Sequence, residues 1–487
     1  MKTTVAKNDK CILCRLHCRS IPAPANLPGL SHIFSKQKLA SILGANSSRT
    51  DAGRFSYWAA EPKEIFEFRT GQENPFENLH EVLSKYRLGN PAINIGLPKG
   101  IFNGGWIGFF SYELARFIEK LPATTVDDID LPLIRLCFYD RVIAYDHLKN
   151  TFWLLALEIP GDTKPPEQKL TELENLLLES QNIEVPAPAH AEFDKMDLSS
   201  IQCNMSKAYY LQSVKKIKQY IYDGEVYQIN FSRRFESEFN ADAIDLFHWQ
   251  NHHNPSPYAA YINGGNFHIV SASPEMFITV ADGIIQTKPI KGTRQRLDEN
   301  DNRQPQVIQI NTKNLNELLY SEKEKAELNM IIDLERNDVA KVCVPGTRKV
   351  VQPRSIESYP TVFHAVATVA GRLRDDVTFC DILKAMFPGG SITGAPKIRS
   401  MEIIDETELT ARGVYTGSIG FIGLDGSVCL NIAIRTIIIK DQKAYAQTGG
   451  GIVADSDPEA EWQETITKVR ALLVGINSVQ REPKTKH

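Results

Sequence analysis

No apolar run in this chain reaches the roughly 20 residues that a helix needs to cross a bilayer, which excludes a helical membrane span. There is no surplus of positive charge either. Lys and Arg number 55 against 59 Asp and Glu, for a net charge of −4 and a pI near 6.3. No global basic field calls for nucleic acid. The basic start, MKTTVAKNDKCILC, is not followed by the apolar stretch of a secretory signal, so the cytoplasm is the expected location. No internal repeat is visible. Cysteine is sparse, with eight in 487 residues. Cys137, Cys203, Cys343, Cys380 and Cys429 stand apart in mostly apolar strings and read as reduced thiols. The GxxxxGK[ST] order of a phosphate-binding P-loop is missing.

What is present is ordinary globular composition, 42% hydrophobic and 23% charged, with enough length for a sizeable core. Residues 1–30 are basic and then proline-rich (IPAPANLP), and read as a disordered tail. Within it Cys11, Cys14, His17 and Cys18 are either a cramped set of zinc ligands or part of a frayed end. Residues 31–160 mix short strands and helices, with Leu133–Tyr145 read as one strand. Residues 161–200 (PGDTKPP, one helix, VPAPAH) read as a linker, and 201–480 as the main domain. There, helices are expected at Ser206–Asp223, Ser321–Val342 and Asp376–Phe387, and from Pro458 to about 478. Val350–Ser358 reads as a strand, and Thr361–Val369 as strand or helix. Asp282-Gly283 and Asp425-Gly426 mark hairpins, the second between Tyr415–Leu424 and Ser427–Ile439. Antiparallel hairpins with helices between them predict an α+β fold with packed antiparallel sheets.

Four constellations carry chemistry. In QTKPIKGTRQR, Lys291 is followed by Gly292, which permits a tight turn, and Lys288, Arg294 and Arg296 crowd the segment. Partial desolvation among cations would lower the pKa of Lys291 and make it a nucleophile; a solvated lysine in a basic turn is the other reading. Glu324 and Glu327 share one helix face, as do Glu461 and Glu464, with Lys468 one turn on. Carboxylates from two helices suit Mg²⁺, which takes oxygen ligands and an anionic substrate; two solvated faces are the alternative. Thr448-Gly449-Gly450-Gly451 and the loop FPGGSITGAPK are either cradles of N–H groups for an anion or surface turns. Arg435, inside NIAIRTIII, needs an ionic partner, either a bound carboxylate or an internal one.

Beyond these separate readings, residues 200–480 resemble the chorismate-utilising enzyme family. The resemblance lies in GEVYQINFS, SASPE, KPIKGTRQR, ELNMIIDLERND, GGSITGAPK, YTGSIGF, NIAIRT and GGGIVADSDPEAEWQET, in that order. Residues 31–160 resemble the family's N-terminal segment more weakly. The fold implied is the sandwich of anthranilate synthase component I, two packed antiparallel sheets with helices outside.

The resemblance implies that Glu327 and Glu464 bind Mg²⁺, backed by Glu324 and Glu461, and that the metal clamps the ring carboxylate of chorismate. Tyr415 and Arg435 would hold a second carboxylate, Gly449–Gly451 with Lys468 the other anionic end, and His364 and Thr393 the ring. Gly292 and Thr293 would line the same site, and Glu275 would be the general acid. Lysine at 291, where anthranilate-forming members carry alanine, implies a covalent route in which ammonia replaces the C4 hydroxyl, towards 4-aminobenzoate and folate. Gln228 stands where water-adding members carry lysine. No amidotransferase cysteine motif appears, so a separate glutaminase subunit would supply ammonia. The family's tryptophan pocket would here be lined by Arg54, Pro257, Tyr258 and Ala259, while Ser41-Ile42-Leu43-Gly44-Ala45 lacks its serine. The alternatives are an anthranilate-forming member and a non-catalytic chorismate or tryptophan sensor.

Overall fold

Strands dominate the chain, and their apolar patterning explains how they assemble. A computed structural model describes residues 11–22, 24–44, 53–89, 96–188, 201–297, 304–359 and 362–480. The first sheet has 13 strands. Its path runs Gln202–Cys203, Gln228–Glu238, Lys443–Ile452, Thr436–Lys440, Phe267–Ser273, Tyr258–Asn263, Ser41–Leu43, Phe55–Ala59, Arg141–Asp146, Thr151–Glu158, Ile12–Ile21 and Tyr86–Leu88. Gly394–Ala395 pairs beside Gln228–Glu238. The second sheet has ten. Its path runs Ile290–Gln295, Val362–Arg372, Ile284–Lys288, Met276–Ala281, Val428–Asn431, Ser418–Gly423, Gly105–Phe110, Ile134–Tyr139 and Glu64–Phe68. Lys349–Ser358 also pairs with Val362–Arg372. Among the described residues, only the Ile12–Ile21 to Tyr86–Leu88 ladder is parallel. The architecture is the α+β sandwich that the patterning implied.

The first sheet is buried on both faces. Along Arg141–Asp146 and Thr151–Glu158, Val142, Ala144, Leu155 and Leu157 face the second sheet. Ile143, Leu154 and Ala156 face helices Leu27–Ser35, Pro166–Ser180, Ala243–His253 and Pro458–Ser478. Two buried faces require nearly continuous apolar runs rather than alternation, which is what TFWLLALE supplies. Each fully buried Leu, Ile or Phe contributes on the order of 1.5–3 kcal/mol.

Several expectations are corrected. Residues 12–21 are not a disordered tail. Ile12–Ile21 pairs with Thr151–Glu158 over seven residues, and Cys14 and Leu16 enter the core. An extended strand sends Cys14 and Cys18 to one face and His17 to the other, where His17 Nε2 lies 2.8 Å from Glu158. That geometry cannot close a tetrahedron on zinc. Burial pushes the Cys14 thiol up to about 11, away from the thiolate a metal needs. Nor are residues 161–188 a linker, since helix Pro166–Ser180 buries Leu170, Leu173 and Leu177 against the first sheet.

Two runs read as single strands are each divided between the sheets. Leu133–Tyr145 covers Ile134–Tyr139 of the second sheet and all but the last residue of Arg141–Asp146 of the first. Ser427–Ile439 covers Val428–Asn431 of the second and all but the last residue of Thr436–Lys440 of the first. Periodicity does not register such a crossing, because both halves remain apolar. The ambiguous run after Thr361 is a strand, Val362–Arg372. The four helices expected there form at Lys207–Tyr222, Glu322–Ala340, Phe379–Met386 and Pro458–Ser478, and Ala243–His253, Gln304–Tyr320 and Lys397–Thr407 are helices as well.

Candidate active site

The site lies where the chain passes from one sheet to the other. Glu275 occupies the step between Phe267–Ser273 and Met276–Ala281, and Arg435 the step between Val428–Asn431 and Thr436–Lys440. The two crossings are tied together. Ser273 Oγ donates to Ile432 O at 2.6 Å, Ile432 N–H to Glu275 O at 3.0 Å, and Ala272 N–H to Arg435 O at 3.0 Å. Arg435 adopts φ +50°, the left-handed region, as the strand direction changes. Its guanidinium has no hydrogen bond or ion pair among the described residues, and burial lowers its pKa. An internal salt bridge is therefore not its role here, and an external carboxylate remains the natural partner.

Glu275 is 4% exposed. Burial pushes its pKa up, opposed by hydrogen bonds from the Ser391 side chain and Ile290 N–H and by the charge of Lys291. Lys291 is half-buried, and its Nζ donates to Ser391 O at 3.1 Å. Its pKa is lowered chiefly by desolvation. Glu275, Glu327 and Glu464 oppose that shift, and Lys468 reinforces it. Desolvation is the half of the sequence reading that holds; the neighbouring cations are engaged elsewhere. Lys288 pairs with Glu357 at 2.5 Å, Arg294 with Glu324 at 2.7 Å, and Arg296 donates to Tyr359 O at 3.2 Å. Gly292 sits at φ +89°, and a Cβ there would stand 2.7 Å from both Glu324 Oε2 and Leu318 Cδ1. Only glycine lets this strand approach the helix so closely.

Thr293 Oγ1 is 2.8 Å from His364 Nδ1 across the ladder, while His364 Nε2 is buried without a partner. Burial, with Arg435 nearby, lowers His364 to about 3, so the ring is neutral. Thr393 is fully buried and donates to Gly389 O at 3.1 Å. Tyr415 is buried beside Arg412, and burial raises its pKa.

The two carboxylate pairs are carried by helices Glu322–Ala340 and Pro458–Ser478. The charge of Lys323 on the first helix works against burial at Glu461 and Glu464 on the second, and Lys291 senses Glu327 and Glu464 together, so the two pairs lie within electrostatic reach of one another. Glu324 Oε2 is buried with no partner. Burial raises Glu461, which accepts from Ser456 Oγ at 2.6 Å. Burial also pushes Glu464 up, but Lys468 at 2.6 Å, with Lys323 and Lys291, outweighs it and holds the carboxylate ionised. No three His, Cys, Asp or Glu groups among the described residues form a complete metal cage. Mg²⁺ does not need one, because it is held by one or two carboxylates plus water and substrate oxygens. An orphaned oxygen on one pair and an ionised carboxylate on the opposite pair fit that mode.

Gly449–Gly451 are not a surface turn but part of strand Lys443–Ile452. Asn230 N–H donates to Thr393 O and Ser232 N–H to Glu408, so neither bonds across to its register partner, Gly451 or Gly449. Antiparallel alternation then turns the N–H groups of Gly449 and Gly451 away from that neighbour. The strand beyond them, Thr436–Lys440, pairs only as far as Ala446. Those two N–H groups are left for an anion. A Cβ on Gly450 would stand 3.0 Å from Glu461 Oε2, and Lys468 Nζ donates to Gly449 O at 3.1 Å. The glycines thus admit the carboxylate-bearing helix.

Arg54, Pro257, Tyr258 and Ala259 lie at the starts of two central strands of the first sheet; Tyr258 is the register partner of Ser273, and its O accepts from Asn431 Nδ2 at 3.1 Å. Arg54 pairs with Asp146 at 2.7 Å and covers the Phe55 ring, and Ala259 O accepts from Gly44 N–H at 2.7 Å. A Cβ on Gly53 would meet Pro257 at 3.0 Å, and the Tyr258 hydroxyl is buried without a partner. Ala45 falls outside the described residues.

Sequence reasoning missed four residues. Ser391 contacts both Glu275 and Lys291. Arg412 and Glu408 form a buried pair at 2.7 Å, and Arg412 also donates to Ile392 O at 3.0 Å and Asn230 O at 2.7 Å. Burial lowers the Arg412 pKa, but Glu408 outweighs it and the net shift is upward. Glu335 is 2% exposed on the buried stripe Leu328, Ile331, Ile332, Glu335. A carboxylate on an apolar helical stripe was a readable signal; the others depend on tertiary contacts.

With this geometry in view, the relatives are informative. Residues 45–474 match the chorismate binding enzyme family. The aminodeoxychorismate synthase component 1 of Bacillus subtilis is 38% identical over 385 residues, 79% of each chain. The anthranilate synthase component 1 of Acetivibrio thermocellus is 37% identical over 424 residues, 85% of this chain and 83% of that one. The crystal structure of anthranilate synthase component I from Streptococcus pneumoniae superposes with a TM-score of 0.70 at 31% identity, covering 88% of this chain and 93% of that one. The chain belongs to the chorismate-binding enzyme family and is a chorismate-converting enzyme.

Proposed function

We propose that this enzyme is the chorismate-aminating component of aminodeoxychorismate synthase, forming 4-amino-4-deoxychorismate on the way to 4-aminobenzoate and folate. The observation that carries this reading is Lys291, half-buried with its amine 3.1 Å from Ser391 O and within electrostatic reach of Glu275, Glu327 and Glu464. Relatives of both kinds are about equally similar, so the reading rests on the site. In the family the anthranilate-forming members resemble this stretch but carry alanine at the position of Lys291.

Glu327 and Glu464, backed by Glu324 and Glu461, would hold Mg²⁺, which when bound neutralises the ring carboxylate and draws electron density from the ring. Arg435 takes the second carboxylate, and the outward N–H groups of Gly449 and Gly451 take the remaining anionic oxygens. Glu275, protonated because it is buried, donates its proton to the C4 hydroxyl. The neutral Lys291 amine bonds to C2, both ring double bonds shift by one position, and the C4–O bond breaks to release water. Ammonia then bonds to C4, both double bonds return, the C2–N bond breaks to restore Lys291, and the new C4 ammonium gives up a proton that restores Glu275. The sum is chorismate plus ammonia to aminodeoxychorismate plus water. A separate glutaminase subunit supplies the ammonia. Mass spectrometry of the product formed from chorismate, Mg²⁺ and ammonium tests the reading: aminodeoxychorismate is expected, and fluorescent anthranilate would overturn it.

A further inference from the structure

Glu335 has no part in the chemistry above, yet it touches the loop on which that chemistry depends. It is 2% exposed. Its Oε1 accepts Gly390 N–H at 3.1 Å, and its Oε2 is buried with no hydrogen-bond partner. The nearest cation is engaged elsewhere, since Lys397 Nζ lies 2.5 Å from Asp338 and 3.0 Å from Met386 O. A Cβ on Gly390 would stand 2.4 Å from Leu334 Cδ2 and 3.2 Å from Glu335 Oε1, so the loop is pressed onto the helix at this point. One residue further on, Ser391 accepts the Lys291 amine on its carbonyl and hydrogen-bonds Glu275 through its side chain.

The groups facing Glu335 are Lys397, Asp338 and Glu275. Burial dominates, raising its pKa to about 7; Lys397 lowers it, while Asp338 and Glu275 raise it. An ionised carboxylate here would lack both a cation and a second donor. It would also add negative charge behind Glu275 and favour the ammonium form of Lys291.

We propose that Glu335 is a positioning residue: it clamps Gly390 and so sets Ser391 between the amine of Lys291 and the carboxyl of Glu275. The inference rests on the reading of Lys291 as the nucleophile. The test compares Glu335→Gln, Glu335→Leu and Lys291→Ala in the full chain. Turnover of chorismate is measured with Mg²⁺ and ammonium across pH, together with the rate at which an amine-reactive reagent labels Lys291, read by peptide mass spectrometry.

Glu335→Gln, neutral and nearly isosteric, should keep kcat within about threefold at pH 6 and hold its turnover to higher pH than wild type. Glu335→Leu should lower kcat about tenfold or more, with KM for chorismate and the Mg²⁺ requirement little changed, and should shift the pH dependence of Lys291 labelling. Rescue by Gln separates positioning from packing. The proposal is overturned if Gln loses as much as Leu, if Leu changes neither kcat nor labelling, or if Gln and wild type share one pH profile. Should Glu335→Leu not fold, the Gln profile and labelling decide alone. Full activity in Lys291→Ala would instead overturn the nucleophile reading, while wild-type labelling against Glu335→Gln still reports the clamp.

Discussion

Two side chains with opposite burial effects account for the reactivity proposed for the site. The same desolvation that favours protonated Glu275 favours neutral Lys291, so each is pushed towards its working state in one environment. Lys291→Ala should therefore cut aminodeoxychorismate formation by orders of magnitude while Mg²⁺-dependent chorismate binding persists, checked by turnover and by calorimetric titration. Glu275→Gln should lower kcat about 10²–10⁴-fold by removing the acid. In the wild type, kcat/KM should climb as Lys291 loses its proton and decline as Glu275 loses its own. Lys291→Ala, on its residual activity, should lack the rising limb.

Elements matter here because the site is spread over strand crossings and two helix faces. Helix Pro458–Ser478 presents Glu464 on its exposed side, so Glu464→Ala should leave folding intact yet raise the Mg²⁺ concentration for half-maximal activity about tenfold or more, read by metal titration. The loop 389–397 depends instead on the Arg412–Glu408 pair, 1% and 2% exposed. Arg412→Met alone strands a buried carboxylate and should cost about 3–5 kcal/mol. Adding Glu408→Gln should recover part of that loss, measured by denaturant unfolding.

Across the whole molecule, buried histidines and buried acids set opposing slopes of stability with pH. His147 and His248 are lowered to about 4 and His364 to about 3, in each case chiefly by burial. In the unfolded chain they bind protons below about 6.5 that the folded state refuses, so stability falls as pH drops below that value. Glu113 and Glu335, raised to about 7 by burial, act in reverse: the folded state keeps protons that the unfolded chain releases above about 4.5. His268, lowered by burial, joins the first set, and Glu275 and Glu461, raised by burial, join the second, so four groups stand against four and the two slopes largely offset each other between about pH 6.5 and 4.5. Thermal melts across this range should show a nearly constant Tm, while Glu335→Gln, which removes one acid from the balance, should lower Tm at the acid end relative to wild type; equal profiles for the two would contradict the balance.

Local sequence determined the helices, the hairpin turns and the paired glutamates, because each depends on spacing within one element: 3.6 residues per turn places Glu324 with Glu327 and Glu461 with Glu464 whatever surrounds them. It also carried the ordered motifs that mark the family. Tertiary structure alone decided where apolar runs change sheets, that the triple glycine is strand rather than loop, and that Arg294 belongs to Glu324 and not to Lys291. The reason is that burial and long-range pairing are properties of the assembled molecule. A run buried on two faces reads the same whether it stays in one sheet or crosses to the next, and a charge has no assigned partner until the chain brings one to it.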